Sequence, residues 1–166
     1  MRLFGGVFPD ENGRNQAATV ASALRELLHG KGRWVKPEKL HITLKFFGDE
    51  ASVEDAAEQI ERAVQDAKAF TLSLDSISAF PNPSRGRILF LAASEDEALV
   101  SLCRRLDESD RDPKPHLTLA RFERPVRVPQ VDFEPIEYPV TELLLVQSVL
   151  SGPDAGYHVL RRWPLR

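Results

Sequence analysis

The sequence predicts a single domain of mixed helices and strands, arranged as two similar lobes around a cleft. Its 166 residues, 42% hydrophobic and 28% charged, suffice for one domain with a sizeable core. The order strand, helix, loop, strand occurs twice along the chain. The last strand of each such unit carries the same short motif, so we expect the two motifs to face each other across the cleft.

The first unit covers the beginning of the chain. Alternating residues predict a strand over 2–8, followed by a turn at 9–13. Apolar residues at helical spacing predict a helix over 14–29, and Gly30 suits its C-terminal cap. After a basic loop, residues 40–47 are predicted as a strand that contains the first motif.

The remaining elements follow the same two periodicities, 2 for strands and 3.6 for helices. In chain order they are predicted as a helix over 53–68, a strand over 70–79, a turn at 81–86, a strand over 87–92, a helix over 95–108, a charged loop over 109–115, a strand over 116–122 with the second motif, and strands over 130–138, 140–150 and 156–163. The second strand–helix–strand unit, from 87 to 122, is thus a shorter version of the first.

Two tetrapeptides of one pattern are the strongest functional signal. They are His41-Ile42-Thr43-Leu44 and His116-Leu117-Thr118-Leu119, and they hold two of the chain's four histidines. Residues i and i+2 of a strand share a face. Each motif therefore points an imidazole and a hydroxyl to one side and two aliphatic chains to the other. Two such strands brought together would surround a small anion with two imidazoles and two hydroxyls.

A pair of imidazoles can act as acid and base in one turnover. The ordinary histidine pKa is about 6.5, so near neutral pH one ring can be neutral while the other is protonated. A cyclic phosphodiester suits such a pair, because water attacks phosphorus from one side while the ring oxygen leaves on the other. The threonine hydroxyls could donate hydrogen bonds to the non-bridging oxygens, where negative charge grows in the transition state.

Positive charge is concentrated beside both motifs, although the chain has a net charge of −3 and a pI near 5.8. The basic residues next to the motifs are Lys31, Arg33, Lys36, Lys39, Lys45, Lys114, Arg121 and Arg124. The acidic total argues against a broad basic surface for long duplexes. The local excess instead favours an anionic substrate small enough to need only nearby cations.

Other catalytic chemistries find little support in the sequence. A zinc site wants three or four ligands among His, Cys, Asp and Glu, and neither motif has an acid or a cysteine at ligand spacing. The sequence contains no G-x-S-x-G elbow and neither glycine-rich phosphate loop. We therefore expect no metal and no cofactor. The only cysteine, Cys103, lies in an apolar-periodic stretch and is interpreted as a core residue rather than a nucleophile.

The composition also bears on the compartment. No apolar run approaches the length of a membrane span, and the N-terminal residues lack the apolar stretch of a signal peptide. A single cysteine permits no internal disulfide, which fits a reducing environment. These observations predict a cytoplasmic protein.

The two motifs and their surroundings together resemble the two-histidine phosphoesterase superfamily, and within it the bacterial and archaeal RNA 2′,3′-cyclic phosphodiesterases, once named 2′-5′ RNA ligases. The resemblance covers nearly the whole chain. It rests on Arg2-Leu3-Phe4, on both motifs with the residues Lys45-Phe46-Phe47-Gly48 and Ala120-Arg121 that follow them, on Phe80-Pro81, on Gly156-Tyr157-His158-Val159-Leu160 and on Trp163-Pro164-Leu165.

This resemblance implies a bilobed, pseudo-symmetric α+β fold with antiparallel sheets lining a central cleft and helices outside. The implied activity is metal-free hydrolysis of the 2′,3′-cyclic phosphate at an RNA end to a 2′-phosphomonoester, with reversible 2′-5′ ligation in some members. It makes His41 the proton donor and His116 the proton acceptor, with Thr43, Thr118 and Arg121 on the phosphate. The expected partners are RNA ends or oligonucleotides that carry a 2′,3′-cyclic phosphate, with no membrane, no obligate protein partner and a monomeric state.

The residue on which a base stacks and the exact function both stay open at this point. A base could stack on Phe46 or Phe47, or on Trp34; strand parity places Phe47 with His41, but a bend at the strand end would reverse this. His158 is interpreted as a structural or surface residue. The alternative functions are a cyclic phosphodiesterase for small nucleotides and a non-catalytic module that binds RNA ends.

Overall fold

The computed structural model describes residues 1–93, 96–107 and 113–166. The helices within them are α1 (Glu11–Leu27), α2 (Val53–Val64) and α3 (Glu97–Leu106). The strands within them are β1 (Leu3–Val7), β2 (Arg33–Trp34), β3 (Ile42–Gly48), β4 (Phe70–Leu74), β5 (Ser76–Phe80), β6 (Gly86–Ala92), β7 (His116–Val126), β8 (Ile136–Val140), β9 (Glu142–Val149) and β10 (Gly156–Pro164). Residues 95 and 108 of the third predicted helix, and 109–112 of the loop after it, lie outside the described residues.

An antiparallel sheet of strand order β10-β9-β1-β3-β7-β6-β5 forms the body of the fold, with β2 added to β7. Strands β4 and β8 form a separate antiparallel pair. The predicted α+β class with antiparallel sheets is therefore confirmed. The two strands that carry the motifs, β3 and β7, are neighbours at the centre of the large sheet.

The helices pack on this framework through their apolar faces. Helix α2 turns Ala56, Ala57, Ile60 and Ala63 inward. It contacts β1, where a Cβ on Gly5 would lie 3.5 Å from Ile60. Helix α1 contacts β8, and α3 contacts α2 and β3. In the described part of the chain, no helix is both long and apolar enough to cross a membrane.

Helix α1 begins earlier than the sequence pattern predicts. Residues 11–13 of the predicted turn at 9–13 are in fact the first turn of the helix, because the Asp10 side chain accepts a hydrogen bond from the Gly13 amide at 2.8 Å and caps the helix. The helix ends at Leu27. Leu28 is its C-cap, so Gly30, the predicted cap, lies two residues further on. Gly30 has a φ of +74°, and its amide donates to the Arg25 carbonyl, which closes the end of the helix.

The strand predicted over 70–79 is two strands that belong to different sheets. Strand β4 pairs with β8, whereas β5 pairs with β6 in the large sheet. The buried positions move from Leu72 and Leu74 to Ile77 and Ala79, which is a change of phase at Asp75. A single strand cannot bury both sets on one face, so the chain bends at this residue.

The strand predicted over 130–138 is also wrong in its extent, because regular pairing in β8 begins only at Ile136. Pro135 stands directly before it and has no amide hydrogen to donate to a neighbouring strand. The alternating pattern of 131–135 therefore produces no strand there.

Each motif strand contains a bulge at the same place. In β3, Thr43 pairs with Gly6 and Lys45 with Gly5, which leaves Leu44 as the extra residue. In β7, the residues on either side of Leu119 pair with consecutive residues of β6. The bulged residue is thus the final leucine of both tetrapeptides. Two similar halves would produce such a match, and the assignment of residues 1–166 to one domain with two similar lobes stays a prediction.

Candidate active site

A pocket of about 250 Å³ opens where β3 and β7 meet, and we call it the central pocket. Its walls include six of the residues that the sequence analysis singled out: His41, Thr43, Phe46, His116, Thr118 and Arg121. Residues 75 positions apart in the chain, such as His41 and His116, therefore reach one cavity. The structure brings together both motifs and the arginine that follows the second.

The pairing of the two motif strands explains why both polar faces open into the same cavity. Ile42 of β3 lies opposite Leu117 of β7, and both side chains are fully buried. These are the residues between the histidine and the threonine of each motif. Their burial on the core side turns the imidazoles and hydroxyls of both motifs to the other side of the sheet.

The two bulges decide which residues after the motifs join the pocket. One extra residue shifts the side-chain alternation by one position. Phe46, three residues after Thr43, therefore faces the pocket, and so does Arg121, three residues after Thr118. These two residues occupy matching places in the two motif strands, an aromatic ring in one and a guanidinium in the other.

The same shift places the two phenylalanines of the first motif strand. Phe46 is 46% exposed, and the Arg2 guanidinium carbon lies 4.6 Å from its ring centre. Phe47 packs against the core beside Gly5, outside the pocket. Simple parity indicates the opposite arrangement, and the bulge at Leu44 is the physical reason for the reversal.

Backbone carbonyls fix the protonated nitrogen of each motif imidazole. His41 Nδ1 lies 2.7 Å from the Lys39 carbonyl oxygen, and His116 Nδ1 lies 2.8 Å from that of Lys114. A carbonyl only accepts, so Nδ1 carries the hydrogen in both rings. The proton that each ring can gain or release is therefore on Nε2, the nitrogen on the pocket side.

The two threonines relate differently to the histidines of their motifs. Thr43 Oγ1 lies 2.8 Å from His41 Nε2. The hydroxyl donates to this nitrogen when the ring is neutral, and the ring donates to the hydroxyl oxygen when it is protonated. Within the described residues, no corresponding bond joins Thr118 to His116. The two halves of the site are thus similar in layout and unequal in hydrogen bonding.

Aromatic rings surround both imidazoles in different geometries. The His41 ring stacks on Phe4 and Phe8, with ring centres 4.7 and 5.0 Å away and interplanar angles of 26° and 22°. His116 meets Phe80 edge-on, at 87° and 4.9 Å, and meets Phe90 at 54°. The faces of aromatic rings attract cations. The stacked contacts with Phe4 and Phe8 therefore favour a positive charge on His41.

Burial lowers the pKa of both imidazoles below the ordinary 6.5. For His41 the loss of hydration is the largest cause; the hydrogen bond to Lys39 raises the pKa, and the charges of His116 and Arg121 lower it further. For His116 the causes are burial, the opposing bond to Lys114, and Arg121. An anion in the pocket would oppose these effects, because negative charge favours the protonated rings.

A sulfate titration followed by NMR tests this coupling. Without added anion, the Cε1–H signals of His41 and His116 are expected to titrate below pH 6.5. Saturating sulfate, which does not titrate in this range, is expected to raise both pKa values, and sulfate affinity is expected to fall as pH rises, because binding takes up protons. Assignment uses His41→Ala and His116→Ala. Unchanged midpoints in saturating sulfate would contradict an anion site between the rings.

The pocket is also lined by six residues to which the sequence analysis assigned no role in the site: Arg2, Phe4, Val35, Lys39, Ser148 and Tyr157. Arg2 comes from β1's N-terminal side, and Tyr157 from β10. The Lys39 ammonium nitrogen lies 5.1 Å from the Tyr157 ring centre. One signal was present, since Lys39 and Lys114 each stand two residues before a motif histidine. The backbone carbonyls of these two lysines, not their side chains, hold the imidazoles. A sequence pattern based on side-chain chemistry does not reveal such contacts.

The other candidates from the sequence lie elsewhere. Trp34 donates its indole hydrogen to the Lys31 carbonyl and packs edge-on against Phe122, outside the central pocket. His158 is exposed and donates from Nε2 to the Asp154 carbonyl. Cys103 is buried in the core, and burial raises the pKa of its thiol to about 12. In the described ranges, no group of three or more His, Cys, Asp or Glu is placed to hold a metal ion.

The chain is similar over most of its length to proteins of one family. The model of the 2′-5′ RNA ligase superfamily matches residues 9–150. The RNA 2′,3′-cyclic phosphodiesterase of Archaeoglobus fulgidus is 33% identical over 182 residues, which covers 97% of this chain and 98% of that relative. The protein of the same name from Thermus thermophilus is 32% identical, over 100% of this chain and 91% of that relative.

Solved structures agree with this similarity. TT0787 of Thermus thermophilus superposes with a TM-score of 0.79 at 31% identity, covering 100% of this chain and 98% of that one. LigT of Escherichia coli, complexed with 3′-AMP, superposes with a TM-score of 0.76 at 28% identity, covering 99% of this chain and 97% of that one.

Proposed function

The chain belongs to the 2′-5′ RNA ligase superfamily, and we propose that it hydrolyses the 2′,3′-cyclic phosphate at the end of an RNA strand to a 2′-phosphomonoester. The observation that carries this proposal is the placement of His41 and His116 in one pocket, each with Nδ1 held by a carbonyl and Nε2 left for proton transfer. The relatives named RNA 2′,3′-cyclic phosphodiesterase support the substrate.

The reaction is an in-line displacement at phosphorus. His116 Nε2 accepts a proton from water as the water oxygen bonds to phosphorus. The bond from phosphorus to the 3′ oxygen breaks on the opposite side, and His41 Nε2 gives its proton to that oxygen. The ring opens to a 2′-phosphate and a 3′-hydroxyl, and proton exchange with solvent then restores both imidazoles. The scheme balances without a metal or a redox partner.

The surroundings of the two rings support this division of roles. The proton donor must enter the reaction charged, and His41 stacks on the faces of Phe4 and Phe8. These faces favour an imidazolium, and the bound phosphate adds to that preference. Among the described residues His116 has no stacked ring, and it must enter neutral. Burial lowers the pKa of both imidazoles, so the aromatic contacts rather than the pKa direction support the division of roles.

Thr43, Thr118 and Arg121 bind the phosphate in this proposal. The threonine hydroxyls donate to the non-bridging oxygens, where charge increases in the transition state. Arg121 adds a fixed positive charge and a planar fork that suits phosphate. Phe46 offers an exposed ring at the pocket wall on which a base can stack, which is worth about 1–3 kcal/mol.

Turnover in a chelator tests the proposed function. Purified protein in EDTA is incubated with an RNA that ends in a 2′,3′-cyclic phosphate, and its rate is compared with a sample given Mg²⁺ or Mn²⁺. Because the two imidazoles supply both proton transfers, the rate is expected to be the same in both samples. Loss of turnover in EDTA, restored by a divalent ion, would contradict the mechanism. Binding of the RNA end with no turnover in either sample would support the non-catalytic alternative.

A further inference from the structure

A second cavity adjoins the central pocket, and we call it the outer groove. It is about 550 Å³ in volume, more than twice the central pocket, and it lies between the β2 segment and the outer end of β7. Four cationic residues line it, with one acid among them. They are Lys31, Arg33, Arg121 and Arg124, and the acid is Glu123. This excess of positive charge is found on a protein whose net charge is −3.

Arg121 connects the two cavities, since it lines both. A ligand whose phosphate sits between the motif histidines is therefore next to the outer groove as well. Any chain of the ligand that leaves the central pocket past Arg121 enters a channel of positive charge.

Two arginines face each other across adjacent strands in this groove. Strand β2 pairs with β7 so that Arg33 lies directly opposite Arg121. Like charges at such positions destabilise a sheet. Within the described residues, neither guanidinium forms an ion pair or side-chain hydrogen bond, whereas Arg2, Arg161 and Arg162 each reach a carboxylate. An arrangement that costs stability and leaves both cations unneutralised is suited to an anionic ligand.

The segment that presents Arg33 is held in place by several contacts. The Val35 amide donates to the Leu119 carbonyl, and the Trp34 indole donates to the Lys31 carbonyl at 2.7 Å. Gly32 has a φ of +95°, and a Cβ there would lie 2.5 Å from the Phe122 ring. Only glycine fits this conformation against that ring. The groove is therefore formed before any ligand arrives, which reduces the entropy lost on binding.

We propose that the outer groove binds the phosphodiester backbone of the RNA strand whose end occupies the central pocket, so that oligonucleotides are preferred over a mononucleotide. This inference rests on the proposed function and adds to it the class of substrate. Arg33 is a binding residue for the first phosphodiester beyond the cyclic phosphate. Guanidinium groups bind phosphate through two parallel hydrogen bonds, which an ammonium cannot reproduce.

The test compares two substrates with the same reacting end: uridine 2′,3′-cyclic phosphate and a tetranucleotide that ends in it. The parent protein is expected to favour the tetranucleotide in kcat/KM by at least about tenfold, the scale of one hydrogen-bonded charge contact. Arg33→Ala is expected to lower kcat/KM for the tetranucleotide about tenfold and to change kcat/KM for the mononucleotide by less than about twofold. Arg33→Lys should recover only part of the preference.

Salt dependence and a matched variant complete the experiment. For single strands, each phosphate contact contributes about 0.7 to the slope of log kcat/KM against log salt, so Arg33→Ala should lower the tetranucleotide slope by about that amount. Arg62→Ala removes an exposed arginine from α2, outside both cavities, and is the matched control. The ratio of kcat/KM for the tetranucleotide to kcat/KM for the mononucleotide should be the same in Arg62→Ala as in the parent protein.

The outcomes separate this inference from the proposed function. If both substrates turn over but Arg33→Ala lowers them equally, or the parent shows no preference, the groove does not bind the strand and the proposed function stands. If neither turns over, the proposed function is wrong. Fluorescence anisotropy of a labelled tetranucleotide with a 2′-phosphate end then still tests the groove, since Arg33→Ala should weaken its binding about tenfold. Equal binding by the parent and Arg33→Ala would overturn the inference.

Discussion

Replacing either motif histidine with alanine is expected to lower kcat/KM for the cyclic phosphate by at least about 10²-fold and up to about 10⁴-fold. Each imidazole supplies a different proton transfer, and neither ring can reach both the attacking water and the leaving oxygen on the far side of phosphorus. His41→Ala should remove the donor and His116→Ala the acceptor. Steady-state kinetics of each variant provide the measurement, with thermal unfolding as a check on folding.

The chain offers a matched control for this experiment. His158 is an exposed histidine whose Nε2 donates to the Asp154 carbonyl, outside the central pocket. His158→Ala should keep kcat/KM within about twofold of the parent protein. The double variant should lose little more than the worse single variant, because groups that act in one step are not additive. A single variant that turns over within about tenfold of the parent would refute the assigned roles.

Removing the two threonine hydroxyls is expected to have the next largest effect, and the two sites should differ. Thr118→Val should lower kcat/KM by about 10–10³-fold, the scale of one lost hydrogen-bond donor to a developing anion. It should not change the pH values at which the two limbs of the kcat/KM profile fall. Thr43→Val should cause a similar loss and also move the His41 limb to lower pH, because the bond from protonated His41 to Thr43 is charge-assisted and stronger than its neutral counterpart.

The comparison of these two variants separates phosphate binding from proton transfer. The pH dependence of kcat/KM is measured for the parent, Thr43→Val and Thr118→Val under the same salt conditions. A shift of one limb in Thr118→Val would mean that this hydroxyl also acts through a histidine. Identical profiles for all three proteins would mean that the bond between Thr43 and His41 Nε2 has no influence on the charge of the ring.

Much of the site could be predicted from the sequence, because its main signal is local. A histidine and a threonine two residues apart on a strand share a face whatever the rest of the fold does. Repetition of the motif indicated that His41 and His116 act together, and the structure places both in one pocket. The apolar residues between them, Ile42 and Leu117, are both buried and pair with each other.

What the sequence pattern could not reveal depends on contacts between distant segments. The bulges at Leu44 and Leu119 arise from pairing with β1 and β6, so the alternation along β3 alone pointed Phe46 to the wrong side. The bend at Asp75 separates two strands that pair with different partners, although a shift in the buried positions marks it. The carbonyls that orient the two imidazoles carry no side-chain signature at all.

The position of the phosphate in the product tests the central claim most directly. An RNA ending in a 2′,3′-cyclic phosphate is treated with the protein in ¹⁸O-labelled water, and the product is identified by chromatography and mass spectrometry. Two imidazoles on opposite sides of phosphorus, with His41 protonating the 3′ oxygen, predict a 2′-phosphate that contains one oxygen from water. His41→Ala and His116→Ala should form almost none of it. A 3′-phosphate as the main product would contradict the account.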